Sequence, residues 1–385
     1  MKNPAFIFLL SFLFFGISCQ SSKDTEAIES KISEFKENLA PDKRVAIWDI
    51  SLENGKLIGQ TDQLEGLDEM LEEFEEMGLQ VENEIQRLPS EELGDQTRAL
   101  VTISVANIRS QPKHSAELAT QALMGTPLKV LEKSENWYRV QTPDQYISWV
   151  DAGGIQLMSE EELESWYRSA KVIYTEFSGF LMNTEGKVSD LVAGDILELV
   201  GETDESFEVK LPDGRTGQLK KSEALPWEQW LATRDTEAET LITTAKSMMG
   251  APYLWGGTSI KGVDCSGFTK TIFYLNGKII PRDASQQIHE GDLVDADKNW
   301  ENLEVGDLLF FGKKATEDSK ERVIHVGMWI GNNQFIHSSG RVRISSFDPE
   351  SPLYDEYELG RYLRTKRIVN TPSENILSVS SLLEL

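Results

Sequence analysis

One of the two cysteines in this 385-residue chain has the surroundings of a nucleophile. Cys265 follows Pro252-Tyr253-Leu254-Trp255-Gly256-Gly257 and Gly262-Val263-Asp264, and it precedes Ser266-Gly267-Phe268. Phe268, Ile272 and Phe273 then fall at helical spacing, so Cys265 should open a helix. There, unpaired backbone N–H groups and the helix dipole favour the thiolate, which is the attacking species. A thiolate also needs a base that returns a proton to the leaving amine. Of the four histidines, His325 and His337 lie 12 positions apart on β-patterned segments, with Gly331-Asn332-Asn333 between them. A hairpin turning there brings both to the same end of adjacent strands. One imidazole can then orient the other, as the third member of a catalytic triad does. His114 and His289 stand in no such pattern.

Each of these residues has a plainer reading. A lone buried cysteine is most often a small core residue; Asp264, Ser266, Gly267 and the two histidines together favour the nucleophile. The tryptophans read as core, except that Trp255 could line a cleft. Two histidines without an accompanying carboxylate motif make a poor metal site, and no CxxC, HExxH or phosphate-loop pattern occurs. No metal and no cofactor is expected.

The length implies two to four domains. Hydrophobic residues make up 39% and charged residues 26%, which suits a globular chain, and the formal net charge is -26. Such a charge argues against nucleic acid or an anionic membrane surface as ligand, since both require clustered Lys and Arg. The chain opens with Met1-Lys2 and an apolar run from Ala5 to Ile17. That run is too short to span a bilayer but suits a signal peptide over residues 1–18. It ends in Gly16-Ile17-Ser18-Cys19, a sequence suited to bacterial lipoprotein processing with Cys19 acylated, although Gly16 replaces the usual Leu. The expected location is an exported protein anchored to a membrane through that lipid. With Cys19 so used, Cys265 has no disulfide partner.

The remaining chain must position these groups. Gln20 to Glu26 reads as a tether. Ile28, Ile32, Phe35 and Leu39 form a helical stripe, Val45 to Ile50 alternates like a strand, and Leu67 to Met77 is an acidic amphipathic helix. Residues 19–95 are therefore expected to be a tether and a small helical region. Short strands with close turns then run over 96–158, and a similar pattern recurs over 170–226. Trp137-Tyr138-Arg139-Val140 before Pro143-Asp144 parallels Phe207-Glu208-Val209-Lys210 before Pro212-Asp213, so two small β-barrels joined by an acidic helix are expected. Residues 232–370 put helices before strands, an α+β arrangement. The tail, 371–385, carries no readable signal.

Six motifs occur in a recognisable order: Tyr253-x-Trp255-Gly256-Gly257, Asp264-Cys265-Ser266-Gly267, Pro281-Arg282-Asp283, Gly306-Asp307-Leu308-Leu309-Phe310-Phe311, His325-Val326-Gly327 and Phe335-Ile336-His337. Together, over about 240–345, they resemble the NlpC-type family of papain-like cell-wall peptidases; the papain signature itself is absent. The resemblance implies Cys265 as nucleophile, His325 as base, His337 as its orienting partner and Tyr253 beside the nucleophile. The two barrels resemble bacterial SH3-like domains. Their placement before the peptidase resembles the γ-D-glutamyl-L-diamino-acid peptidase branch, dipeptidyl-peptidase VI. That branch implies a peptidoglycan-derived peptide with a free N-terminal L-Ala, cut after γ-D-Glu through a thioester. It also implies an amine pocket walled by the first barrel. Asp283 matches the branch's amine-binding Asp. Glu117 and Tyr146, with Tyr138 as the alternative to Tyr146, are the expected barrel contacts, and Ser266 is expected to touch the substrate backbone. Endopeptidase action on intact stems, a non-catalytic wall-binding lipoprotein and an acyltransferase are the competing readings.

Overall fold

The computed structural model describes residues 22–384. The expected signal peptide and Cys19 lie outside the described residues, and the expected tether is corrected from Ser22 onward, where the helix Ser22–Leu39 begins. The remainder divides into two compact units.

The first unit comprises residues 22–43 and 47–87. It is less helical than the expected small helical region: the strand read over Val45 to Ile50 belongs to a three-stranded sheet that stands beside two helices, Ser22–Leu39 and Leu64–Glu76. Strands Trp48–Glu53 and Lys56–Thr61 form a hairpin, and Glu82–Arg87 pairs in parallel with the second of them. The hairpin turns on Asn54 and Gly55, both at positive φ, which is the turn chemistry that a two-residue hairpin requires. The parallel pairing follows from the helix Leu64–Glu76, which carries the chain back across the sheet. Ile28, Ile32, Phe35, Trp48, Leu57, Leu67, Met70 and Phe74 are among its buried residues.

The second unit comprises Arg44–Ala46 and residues 88–384. It begins with a seven-stranded antiparallel sheet in the order 155–158, 98–101, 127–134, 137–141, 147–151, 105–109, 118–123. The inward positions Ala99, Val101, Ile108, Leu128, Val130, Tyr138, Val140 and Val150 form one core. The three residues at 44–46 lie along this sheet: Ile147 N donates to Arg44 O at 2.7 Å, and Gln141 Nε2 donates to Val45 O at 3.0 Å. The helix Glu160–Arg168, with a Ser159/Glu162 capping box, leads to a second seven-stranded sheet over 171–226. That sheet has its own core of Val172, Tyr174, Leu181, Leu191, Leu197, Phe207, Val209 and Leu219.

The C-terminal part sets three helices, Ala238–Ser247, Cys265–Leu275 and Ala284–Gln287, beside a six-stranded antiparallel sheet. The strand order is 292–295, 362–367, 308–313, 322–331, 334–339, 341–346. Leu308 and Phe310 face the helix residues Phe268, Ile272 and Phe273, whereas Leu309 and Phe311 face Trp329, Phe335, Phe347 and Tyr362. Both faces are covered, which is why Leu308-Leu309-Phe310-Phe311 is continuously apolar rather than alternating. The tail is also structured. Leu377–Ser378 pairs with Lys278–Ile279, and Val379 and Leu382 are buried with Trp166, Trp227 and Trp230.

Candidate active site

Cys265 is the first residue of its helix, and Asp264 is the N-cap, accepting from Gly267 N at 2.7 Å. Glycine is required at 267, since a Cβ there would sit 1.9 Å from the Gly257 carbonyl oxygen. The other Asp264 oxygen accepts from Gly256 N at 2.9 Å and from Arg282 Nη2 at 2.6 Å. Arg282 is only 1% exposed. Its remaining donors reach Asp264 Oδ1 at 3.2 Å, Ser266 Oγ at 3.0 Å and Thr120 Oγ1 at 3.1 Å. This buried, multiply bonded ion pair fixes the loop that presents Cys265, and it uses the Ser266 hydroxyl to do so.

The first sheet packs directly on that loop. Gly256 has φ 78°, and a Cβ there would meet Leu118 O at 2.2 Å. Thr258 donates from its N–H to Gln121 Oε1 at 2.9 Å and from its hydroxyl to Gln121 O at 3.1 Å.

His325 and His337 lie on neighbouring strands, 322–331 and 334–339, joined by Gly331, Asn332 and Asn333, all at positive φ. The register sets Met328 opposite Ile336. His337 therefore falls opposite Gly327, two residues from His325 and on the same face of the sheet. A Cβ on Gly327 would lie 3.2 Å from His337 Cβ and 2.9 Å from Phe335 Cδ2. Its absence lets the His337 ring lean across, so that His325 Nε2 and His337 Nδ1 are 2.7 Å apart. That bond uses Nε2 of His325 and leaves its Nδ1 out of the pair, and the N–H of the next residue, Val326, lies against the Cys265 sulfur.

Burial pushes the Cys265 thiol up to about 12, with the Asp264 charge adding to it, against the opposing N–H groups of Val326 and Ser266 and the charge of Arg282. Burial, with His337 and Arg361, holds His325 well below its usual 6.5, and burial, with Arg343 and Arg361, brings His337 to about 3. Both shifts favour the uncharged forms, the Cys265 thiol and the neutral His325 imidazole. Burial and the Asp264 charge work against the thiolate that the helix start favours. Burial, followed by the charges of Cys265 and Asp264, raises Tyr253 to about 12, so its phenol remains a donor.

A cavity of about 300 Å³ brings together Cys265, Tyr253, Ser266, Asp283, Glu117 and Tyr146, with Trp255, Val323 and Ile324 also along its lining. Tyr146 donates its hydroxyl to Asp283 Oδ2 at 3.3 Å. The alternative, Tyr138, is a core residue of the first sheet. His114 is an exposed residue near Asp151, and neither it nor His289 reaches the cavity lining.

The family profile described as NlpC/P60 matches residues 250–381, and that of the bacterial dipeptidyl-peptidase SH3 domain matches 108–155. The γ-D-glutamyl-L-lysine dipeptidyl-peptidase of Bacillus cereus is 33% identical over 261 residues, covering 64% of this chain and 76% of that protein. Dipeptidyl-peptidase 6 of Lysinibacillus sphaericus is 31% identical over 276 residues, covering 66% and 94%. The chain belongs to the NlpC/P60 family. A solved NlpC/P60 protein from Bacillus cereus superimposes with a TM-score of 0.61 at 27% identity, covering 71% of this chain and 99% of that one. The fold is therefore papain-like with an SH3-like domain, and the chain is a peptidase.

Within this NlpC/P60 site, several residues escaped sequence reasoning. Arg44 Nη1 donates to Asp283 Oδ2 at 2.7 Å and to Ser285 Oγ at 2.8 Å. No motif announces a contact across 239 positions. Arg282 was legible only as a neighbour of Asp283, yet its partner is Asp264 and Asp283 Oδ1 lies 3.9 Å away. Ser345, Asp355 and Glu358 surround the histidines from beyond the recognised motifs. His325, His337 and Glu358 hold ligand-type atoms within 4.8 Å of one another. The donor set does not fit a metal, because both His337 nitrogens have partners and Glu358 accepts from Arg361 Nε at 2.7 Å and Nη2 at 2.6 Å.

Proposed function

We propose that this chain is a cysteine peptidase that hydrolyses the amide between γ-D-Glu and a diamino acid (diaminopimelate or lysine) in peptides released from the cell wall. On this reading the peptide's free N-terminal L-Ala sits in the pocket between the first barrel and Asp283. Cys265 Sγ attacks the γ-carbonyl as His325 takes the thiol proton. The developing oxyanion is met by the Cys265 N–H at the helix start and by the Tyr253 phenol. His325 then protonates the departing amine, leaving a thioester. Water, deprotonated by His325, hydrolyses the thioester and releases L-Ala-D-Glu. The neutral resting pair requires the proton transfer to accompany attack.

The observation that carries the reading is one cavity lined by Cys265 together with Glu117, Tyr146 and Asp283. Carboxylates and a hydroxyl lining one cavity suit capture of an ammonium. The relatives' printed names, γ-D-glutamyl-L-lysine dipeptidyl-peptidase and dipeptidyl-peptidase 6, support the same substrate class. The corresponding role is recycling or scavenging of wall peptides. Export, with a lipid on Cys19, belongs to the proposal. It is tested by radiolabelled palmitate incorporation that disappears in Cys19→Ala. Among the described residues no helix is long and apolar enough to cross a membrane.

A second reading, endopeptidase action on intact stems, is favoured by one observation: Arg44 already occupies an oxygen of Asp283. The two separate when the purified protein is given L-Ala-γ-D-Glu-diaminopimelate and its N-acetylated form, with products followed by mass. Cleavage of the free peptide alone, lost in Cys265→Ala, supports the amine pocket. Equal cleavage of both supports the stem endopeptidase.

A further inference from the structure

The contacts of the catalytic histidines continue past His337. Its Nε2 lies 3.0 Å from Ser345 Oγ, and that hydroxyl lies 2.9 Å from Asp355 Oδ2. Ser345 is on the strand 341–346 beside that of His337, and Asp355 caps the short helix Glu356–Gly360. His325, His337 and Ser345 are all buried. Asp355 also accepts from Glu358 N at Oδ1, 3.1 Å, and from Arg343 Nη2 at Oδ2, 3.2 Å.

Each link has only one possible polarity. An ionised carboxylate accepts and never donates, so the Ser345 hydroxyl must point its proton at Asp355. The Ser345 oxygen then presents a lone pair to His337, whose Nε2 must carry the hydrogen. A neutral imidazole has one N–H, so His337 Nδ1 is an acceptor, and His325 Nε2 must donate to it. The proton of His325 is thereby held on Nε2, and the lone pair remains on Nδ1.

We propose that Ser345 and Asp355 are positioning residues that set, through His337, the tautomer of His325 whose Nδ1 can take the Cys265 proton. This rests on the reading of Cys265 as nucleophile and His325 as base. The device suits a buried site: it orders the base without placing a second charge against it. The other charged groups nearby are Arg343, which bonds Asp355, and Arg361, which bonds Glu358. Glu358 Oε1, at 3.8 Å from His325 Nε2, is beyond hydrogen-bond reach and does not compete for its hydrogen.

Asp355→Asn tests the polarity, because Asn keeps the size and the helix cap. With its oxygen on Glu358 N–H, its NH₂ faces Ser345 and Arg343, and it donates to Ser345. The chain then runs backwards and puts the proton on His325 Nδ1. Ser345→Ala breaks the chain, and Ser345→Thr restores the hydroxyl. The full protein is labelled with ¹⁵N-histidine, and the imidazole resonances are assigned by His→Gln substitutions. Wild type should show His325 protonated on Nε2. Asp355→Asn and Ser345→Ala should lose that single tautomer, with kcat roughly tenfold to a hundredfold lower and KM unchanged. This loss is smaller than the ~10⁴ seen when a directly bonded carboxylate is replaced. Ser345→Thr should stay within about threefold of wild type. A native His325 protonated on Nδ1 overturns the proposal, as do wild-type kcat and tautomer in both variants. The tautomer is read without turnover, so failure of the peptidase reading, seen as full activity in Cys265→Ala, is distinguishable from failure of the relay.

Discussion

The two ends of the cavity are assembled differently. At the catalytic end, Cys265, His325 and His337 come from one part of the chain; all three are buried, and the two histidines bond each other at 2.7 Å. At the other end, Asp283 meets Tyr146 from 137 positions away and Arg44 from 239 positions away. The side chains of Arg44 and Asp283 are about 30% exposed, at 31% and 29%. Burial gives the catalytic end directional hydrogen bonds with fixed polarity. Partial exposure gives the recognition end charge interactions that water weakens. On the proposed function, the chemistry is locked into place by the fold, whereas selectivity stays adjustable by single substitutions at the mouth.

The largest expected effect lies at the catalytic end. Cys265→Ala should lower kcat by more than about 10⁴-fold with little change in melting temperature, measured on the free peptide by mass. Retained turnover would abolish the distinction between the two ends. Arg282→Met should cost about 3–5 kcal/mol in denaturant unfolding, because it strands the buried Asp264 charge. A loss below 1 kcal/mol would mean that this end is less dry than its burial implies. Asp283→Ala should reduce kcat/KM about 100-fold on the free-amine peptide and leave the N-acetyl peptide nearly unchanged. Equal losses on both would remove the amine pocket from the comparison. Arg44→Ala is the smallest change, about threefold to fivefold lower KM for the free peptide, because a half-exposed pair contributes under about 1 kcal/mol. A raised KM would instead make Arg44 a support for Asp283.

Acid should separate the ends as well. The folded His337 sits near 3, below the 6.5 of an ordinary histidine. Below about pH 6.5 the unfolded chain therefore binds a proton that the native protein does not. The stability from this group is complete above 6.5 and is lost as pH falls toward 3. His325 acts in the same direction. Urea midpoints should fall over that window in the wild type, and less steeply in His337→Asn.

The catalytic end was legible because its residues sit in short motifs whose spacing reflects a helix start and a hairpin. Cys265, His325 and His337 could be found from a glycine-flanked Asp-Cys-Ser-Gly and two β-patterned histidines. Asp283, Tyr146 and Glu117 came from the resemblance, not from local pattern, and they share the cavity with Cys265. Arg44 was unreadable, because a cation preceding a strand carries no mark of a carboxylate 239 positions later. The sequence shows the helix start that favours the thiolate but not the burial that opposes it. The strand Glu82–Arg87 and the packed tail were missed for a related reason. One is polar and paired along a single edge, and the other is too short for a period to appear.

Gly256 has a further consequence. The Leu118 carbonyl oxygen would lie 2.2 Å from a Cβ at that position, so one methyl group there would prise the barrel from the loop that carries Asp264 and Cys265. Barrel and peptidase must be inherited, or transplanted, as a matched pair.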